Sequence, residues 1–82
     1  MPPLPVVSGR TLIAFMESFG YVVVRRRGSH VRLTLQSKRG EWHETIPDHD
    51  EVARGTLRGV LRRMSIATGI EVEGLIERLS AR

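Results

Sequence analysis

Between Tyr21 and Ile46 the chain carries three short stretches rich in β-branched and aromatic residues, parted by two polar breaks. Residues 21–26 read Tyr-Val-Val-Val-Arg-Arg, residues 31–35 alternate Val-Arg-Leu-Thr-Leu, and residues 41–46 read Glu-Trp-His-Glu-Thr-Ile. Period-two patterning sends successive side chains to opposite faces of a sheet. The breaks, Gly28-Ser29 and Ser37-Lys38-Arg39-Gly40, are short enough to demand antiparallel hairpins. Trp42 and Ile46 then share a face, and Pro47, which has no N–H, ends the pairing. A three-stranded antiparallel sheet follows, with Val31, Leu33 and Leu35 turned to a core and His30, Arg32 and Thr34 turned away.

Such a sheet needs helices over its apolar face. Residues 9–19 supply one: Ser8 is the N-cap, Val7 and Leu12 form a hydrophobic staple, and Leu12, Met16 and Phe19 recur on one face before Gly20 stops the helix. After a polar loop at 48–55, Thr56 reads as the N-cap of a second helix running to Thr68 and stopped by Gly69. Leu57, Val60, Leu61 and Met64 mark its buried side. Arg54, Arg58 and Arg62 recur every four residues, as a phosphate-facing edge or a wet face. Residues 72–79 form a last short amphipathic helix with Val72, Leu75, Ile76 and Leu79 inward. The expected class is α+β, in the order α-β-β-β-α with a short extra C-terminal helix and the helices on one face.

At 82 residues the chain supports one domain, expected over 8–82, with residues 1–7 as a flexible, proline-rich lead. It has no cysteine, which excludes disulfides, thiolate metal sites and a thiol nucleophile. The longest apolar run, residues 12–16, falls short of a membrane span, and the start lacks the basic flank of an export signal, so a soluble, cytoplasmic protein is expected. Thirteen basic residues against nine acidic give a net charge of +4. No acid lies between Glu17 and Glu41, whereas Arg25, Arg26, Arg27, Arg32, Lys38 and Arg39 all do. A polyanionic partner fits that block; an arginine-rich solvated surface is the alternative.

His30, His43 and His49 are the side chains that ordinarily exchange protons near neutral pH. Their spacing matches no metal motif, and His43 and Glu44, adjacent on a strand, point to opposite faces, so no metal and no cofactor is expected. Walker, nucleophile-elbow and dinucleotide fingerprints are also missing. His30 stands out because it follows the Gly28-Ser29 turn and shares its face with Arg32, placing an imidazole in a basic, solvent-facing patch. A proton-transfer group among phosphate-binding arginines is a nuclease-like arrangement.

At these residues the sequence resembles the HicA family of toxin-antitoxin mRNA interferases. The resemblance is carried, in order, by Gly20-Tyr21-Val22-Val23-Val24-Arg25, Arg27-Gly28-Ser29-His30, Ile46-Pro47-Asp48-His49, Gly55-Thr56-Leu57 and Leu61-Arg62, and spans about residues 8–79. It implies a double-stranded-RNA-binding-domain-like sandwich and a ribonuclease whose essential histidine matches His30. It also implies a HicB-type antitoxin that blocks that histidine. The chain departs from the family pattern after Arg62, where Arg63-Met64-Ser65-Ile66-Ala67-Thr68 precede Gly69 and lengthen the second helix by about one turn.

RNA brings its own nucleophile, the 2′-hydroxyl, so the enzyme this resemblance implies positions a phosphate, takes one proton and gives another without a metal. His30 is the expected acid-base residue, and Gly28 and Ser29 shape the turn that presents it. Arg25, Arg27 and Arg32, with Lys38 and Arg39, are expected to bind mRNA. The second proton-transfer group is left unnamed: His43 shares the parity of His30 only if the strand register allows it, and His49 lies in a loop, where it serves equally as a capping or surface residue. The rival expectations are a non-catalytic RNA-binding module of the same fold and a basic protein that docks an acidic partner. As a toxin the chain is expected alone as a monomer or within a toxin–antitoxin hetero-oligomer.

Overall fold

The computed structural model describes residues 2–82. Its elements are α1 (Gly9–Glu17), β1 (Val22–Arg27), β2 (His30–Ser37), β3 (Gly40–Pro47), α2 (Arg54–Thr68) and α3 (Val72–Ser80). The strands form one antiparallel sheet in the order β1-β2-β3. Val31, Leu33, Leu35 and Ile46 are buried on its inner face, whereas the alternate residues of β2 and β3 are largely in water. The three helices therefore lie over one face, and the other is bare. Leu12, Phe15, Met16, Leu57, Leu61, Met64, Leu75 and Ile76 complete the core, each at most 2% exposed.

α1 begins as its sequence dictates: Ser8 accepts a hydrogen bond from the Thr11 N–H at 3.0 Å, satisfying a first-turn donor. Its helical residues end at Glu17 rather than Phe19, and Phe19 turns inward to meet Phe15 edge-to-face at 5.0 Å. Gly9 sets the helix against the sheet, since a Cβ there would stand 2.1 Å from the Pro47 carbonyl oxygen. Its N–H donates to the His49 carbonyl at 2.8 Å.

α2 starts two residues before the Thr56 cap expected from sequence. Its N-cap is Ala53, which makes no side-chain hydrogen bond. The start is fixed instead by burial of Val52, whose N–H donates to the Val7 carbonyl at 2.8 Å. The N-terminal lead accordingly touches the body, with Val7 buried and Leu4 against the core. Met1 lies outside the described residues. The far end of α2 closes as expected, on Gly69 in the left-handed conformation.

Glu44 is the buried charge of the inner face. Arg63 of α2 donates to both of its carboxylate oxygens, at 2.7 and 2.9 Å, a fork that satisfies the carboxylate and ties α2 to β3.

Candidate functional site

Two residues, Gly28 and Ser29, connect β1 to β2. Gly28 has φ +57° and Ser29 no positive φ, the pattern of a type II′ turn, whose first central position suits glycine. The Ser29 carbonyl accepts from the Asp48 N–H at 2.6 Å, latching this turn to the segment after β3. His30 is thus fixed as the first residue of β2, exposed on the bare face.

The register assembles a basic pocket around it. Arg27 lies opposite His30, and Arg25 opposite Arg32. Strict alternation from Val23, which pairs with Leu33, would have turned Arg25 inward. A β-bulge between Val23 and Arg25 leaves Val24 without a partner and rotates Arg25 and Arg27 onto the face of His30. Arg26 is left on the opposite parity, 3.7 Å from Asp48 in an exposed ion pair of little energetic weight. Arg25, Arg27, His30, Arg32 and Thr45 line a depression of about 160 Å³.

Thr45 lines the pocket without having stood out in the sequence. It lies directly opposite Arg32, and counting back from the two-residue turn at 38–39 reaches it. Lys38 and Arg39 are not in the pocket. They form that turn at the other end of the sheet, roughly 26 Å from His30 at the strand rise. There the Arg39 guanidinium lies over Gly69, where a Cβ would come within 2.7 Å of it.

His43 does share the bare face, as its parity allows, but it pairs with Thr34, roughly 13 Å along the strands from His30. Its Nε2 is 2.8 Å from a Glu41 carboxylate oxygen, and the other oxygen of Glu41 accepts from Gln36. His49 is exposed in the loop before α2. Among the described residues no three His, Asp or Glu side chains converge as metal ligands would. The aromatic rings point inward: Tyr21 and Phe15 are buried, and Phe19 and Trp42 pack against the core.

The electrostatics of the pocket run against folding. Arg25 and Arg32 face one another as like charges, a destabilising cross-strand pair. No carboxylate among the described residues pairs with Arg25, Arg27 or Arg32. An anion bound between them would relieve that repulsion, and phosphate suits the guanidinium fork.

The family model described as HicA toxin of bacterial toxin-antitoxin matches residues 9–66, well over half of the 82 residues. The chain belongs to the HicA toxin family. The match takes in α1, the sheet and most of α2, and so the whole pocket around His30; α3 lies beyond it. No curated protein and no solved structure matches the chain. Membership makes it a toxin of a toxin-antitoxin system, in a family that generally cleaves mRNA. No helix among the described residues is long and apolar enough to cross a membrane.

Proposed function

We propose that this HicA-family chain is an endoribonuclease that cuts mRNA in the cytoplasm through His30, without a metal. The observation that carries the reading is the unneutralised arginine pair, Arg25 opposite Arg32, beside an exposed imidazole. That arrangement strains the fold and gains only when a phosphate arrives.

RNA supplies the nucleophile. The 2′-oxygen attacks the adjacent phosphorus, the bond to the 5′-oxygen breaks, and a cyclic phosphate and a free 5′-hydroxyl result. One proton leaves the 2′-hydroxyl and one reaches the 5′-oxygen, and His30 carries one of these transfers. Arg25, Arg27 and Arg32 hold the phosphate and stabilise its developing charge. Gly28 and Ser29 hold the turn in place, and Lys38 and Arg39 extend RNA contact to the far end of the sheet. His43, tied to Glu41 and distant, is a poor partner for the second transfer. A HicB-type antitoxin covering the bare face over His30 would silence the enzyme, so the toxin acts as a monomer when released from that hetero-oligomer.

The test is cleavage of a labelled single-stranded RNA in excess chelator by the chain and by His30→Ala, beside a DNA of matched sequence. RNA alone is expected to be cut, because DNA lacks the 2′-hydroxyl, and the variant is expected to lose at least a hundredfold in rate. RNA binding without cleavage by either protein would sink the enzyme and leave a binding module.

A further inference from the structure

A second basic surface lies on α2, whose fifteen residues include no acid. With Leu57, Val60, Leu61 and Met64 buried, Arg54, Arg58 and Arg62 are all exposed. Standing four residues apart, they project from one stripe at intervals of roughly 6 Å along the helix axis. Arg63, on the other flank of the helix, is engaged by Glu44. The three stripe arginines make no ion pair among the described residues. Like charges at this spacing weaken a helix, so folding supplies no reason for them.

The stripe is separate from the His30 pocket. α2 starts near the end of β3 that lies opposite His30 and runs back to Gly69, beside Arg39 at the far end of the sheet. Asp48, Asp50 and Glu51 occupy the segment between β3 and Arg54, an acidic break between the two basic surfaces.

We propose that Arg54, Arg58 and Arg62 form a second RNA-contact surface that holds the phosphate backbone of one strand away from the cleavage pocket. The three arginines follow one edge of the helix at roughly 6 Å of axial rise, so one run of negatively charged backbone can meet all three. Gly55 stands beside the stripe without a side chain, and a Cβ there would meet nothing within 4 Å, so a backbone can approach closely at that end; at Gly59 the Arg63 side chain already fills the space. An acidic protein fits less well, because stable protein interfaces close around an apolar centre. The exposed large apolar residue of α2, Ile66, stands beyond the end of the stripe. The inference rests on the RNA reading above and adds a second site to it.

The experiment follows binding of a labelled RNA hairpin by fluorescence anisotropy across a salt series, in a His30→Ala background that leaves the RNA intact. Adding Arg54→Gln, Arg58→Gln and Arg62→Gln together is expected to make the slope of log affinity against log salt shallower by about 2 to 3, with the thermal melt slightly raised as the like-charge repulsion along the helix is removed. The corresponding triple lysine variant keeps most of the slope. Identical slopes for the His30→Ala chain and the glutamine variant would overturn the proposal, even with cleavage by the intact chain preserved; an acidic protein as the true occupant gives this same outcome. If the His30→Ala chain binds no hairpin at any salt and the intact chain cuts no RNA, the RNA reading itself falls and takes the stripe with it.

Discussion

In the proposed reading, Arg25 and Arg32 set function against stability at a single cross-strand pair. Arg25→Thr removes the repulsion and places a β-branched residue in a strand, so it is expected to stabilise the fold by about 0.2–1 kcal/mol, raising the melting temperature by a few degrees. RNA cleavage should fall in the same variant; an unchanged rate with higher stability would remove Arg25 from the site. Tyr21 is a different kind of residue, buried with its hydroxyl lacking a hydrogen-bond partner. Burial, with the Glu44 carboxylate adding to it, pushes its pKa up to about 12 from 10.0. The fold thus favours the neutral phenol. That stability is fully present below pH 10 and is lost as pH rises through 12, on the order of 2–3 kcal/mol in all. Tyr21→Phe should be neutral or slightly stabilising at pH 7, since it removes an unpaired polar atom, and should lose less stability between pH 9 and 12 than the parent. Denaturant titrations of both proteins at pH 7, 9 and 12 check these expectations.

The strands and helices were readable as elements because each repeats its apolar residues at its own period, two for β2 and between three and four for α2. What periodicity missed lies where a distant contact decides. The bulge at Val24 interrupts alternation, and its local hint was that three consecutive arginines cannot take alternate places in a core. The start of α2 answers to Val52 and Val7 rather than to a capping side chain, so Thr56 was a false signal. His30, Arg32 and the absence of acid around them were visible in one dimension; Thr45 became a neighbour only through the β2–β3 register. Between elements, Gly9 is the tightest joint. In Gly9→Ala the new methyl meets the backbone of Pro47 and Asp48, which cannot swing aside as a side chain could. A loss of about 3 kcal/mol is expected in urea titrations, with helix α1 displaced from the end of β3.

At the scale of the molecule, a radius of gyration of 11.7 Å is what a compact chain of this length should have. Core residues come from all three helices and the sheet and form one cluster. We propose on this basis that residues 8–82 unfold as one domain. Far-UV circular dichroism, reporting the helices, and the fluorescence of Trp42, reporting the sheet, should then give coincident transitions. Separate midpoints would show that the helices and the sheet do not melt as one unit. The α+β order was legible from sequence because short turns leave few ways to connect three strands and the helices that cover them. The two groups of arginines and the acids Asp48, Asp50 and Glu51 between them stand in the sequence; that one group takes the bare face of the sheet and the other a helix on the covered side came only with the fold.

The bond between the Ser29 carbonyl and the Asp48 amide crosses from the turn beneath His30 to the segment that leads into α2. It gives the chain its own gauge. The Asp48 proton is shielded only while the hairpin tip is seated, so the rate at which deuterium replaces it times how often the support of the imidazole lets go.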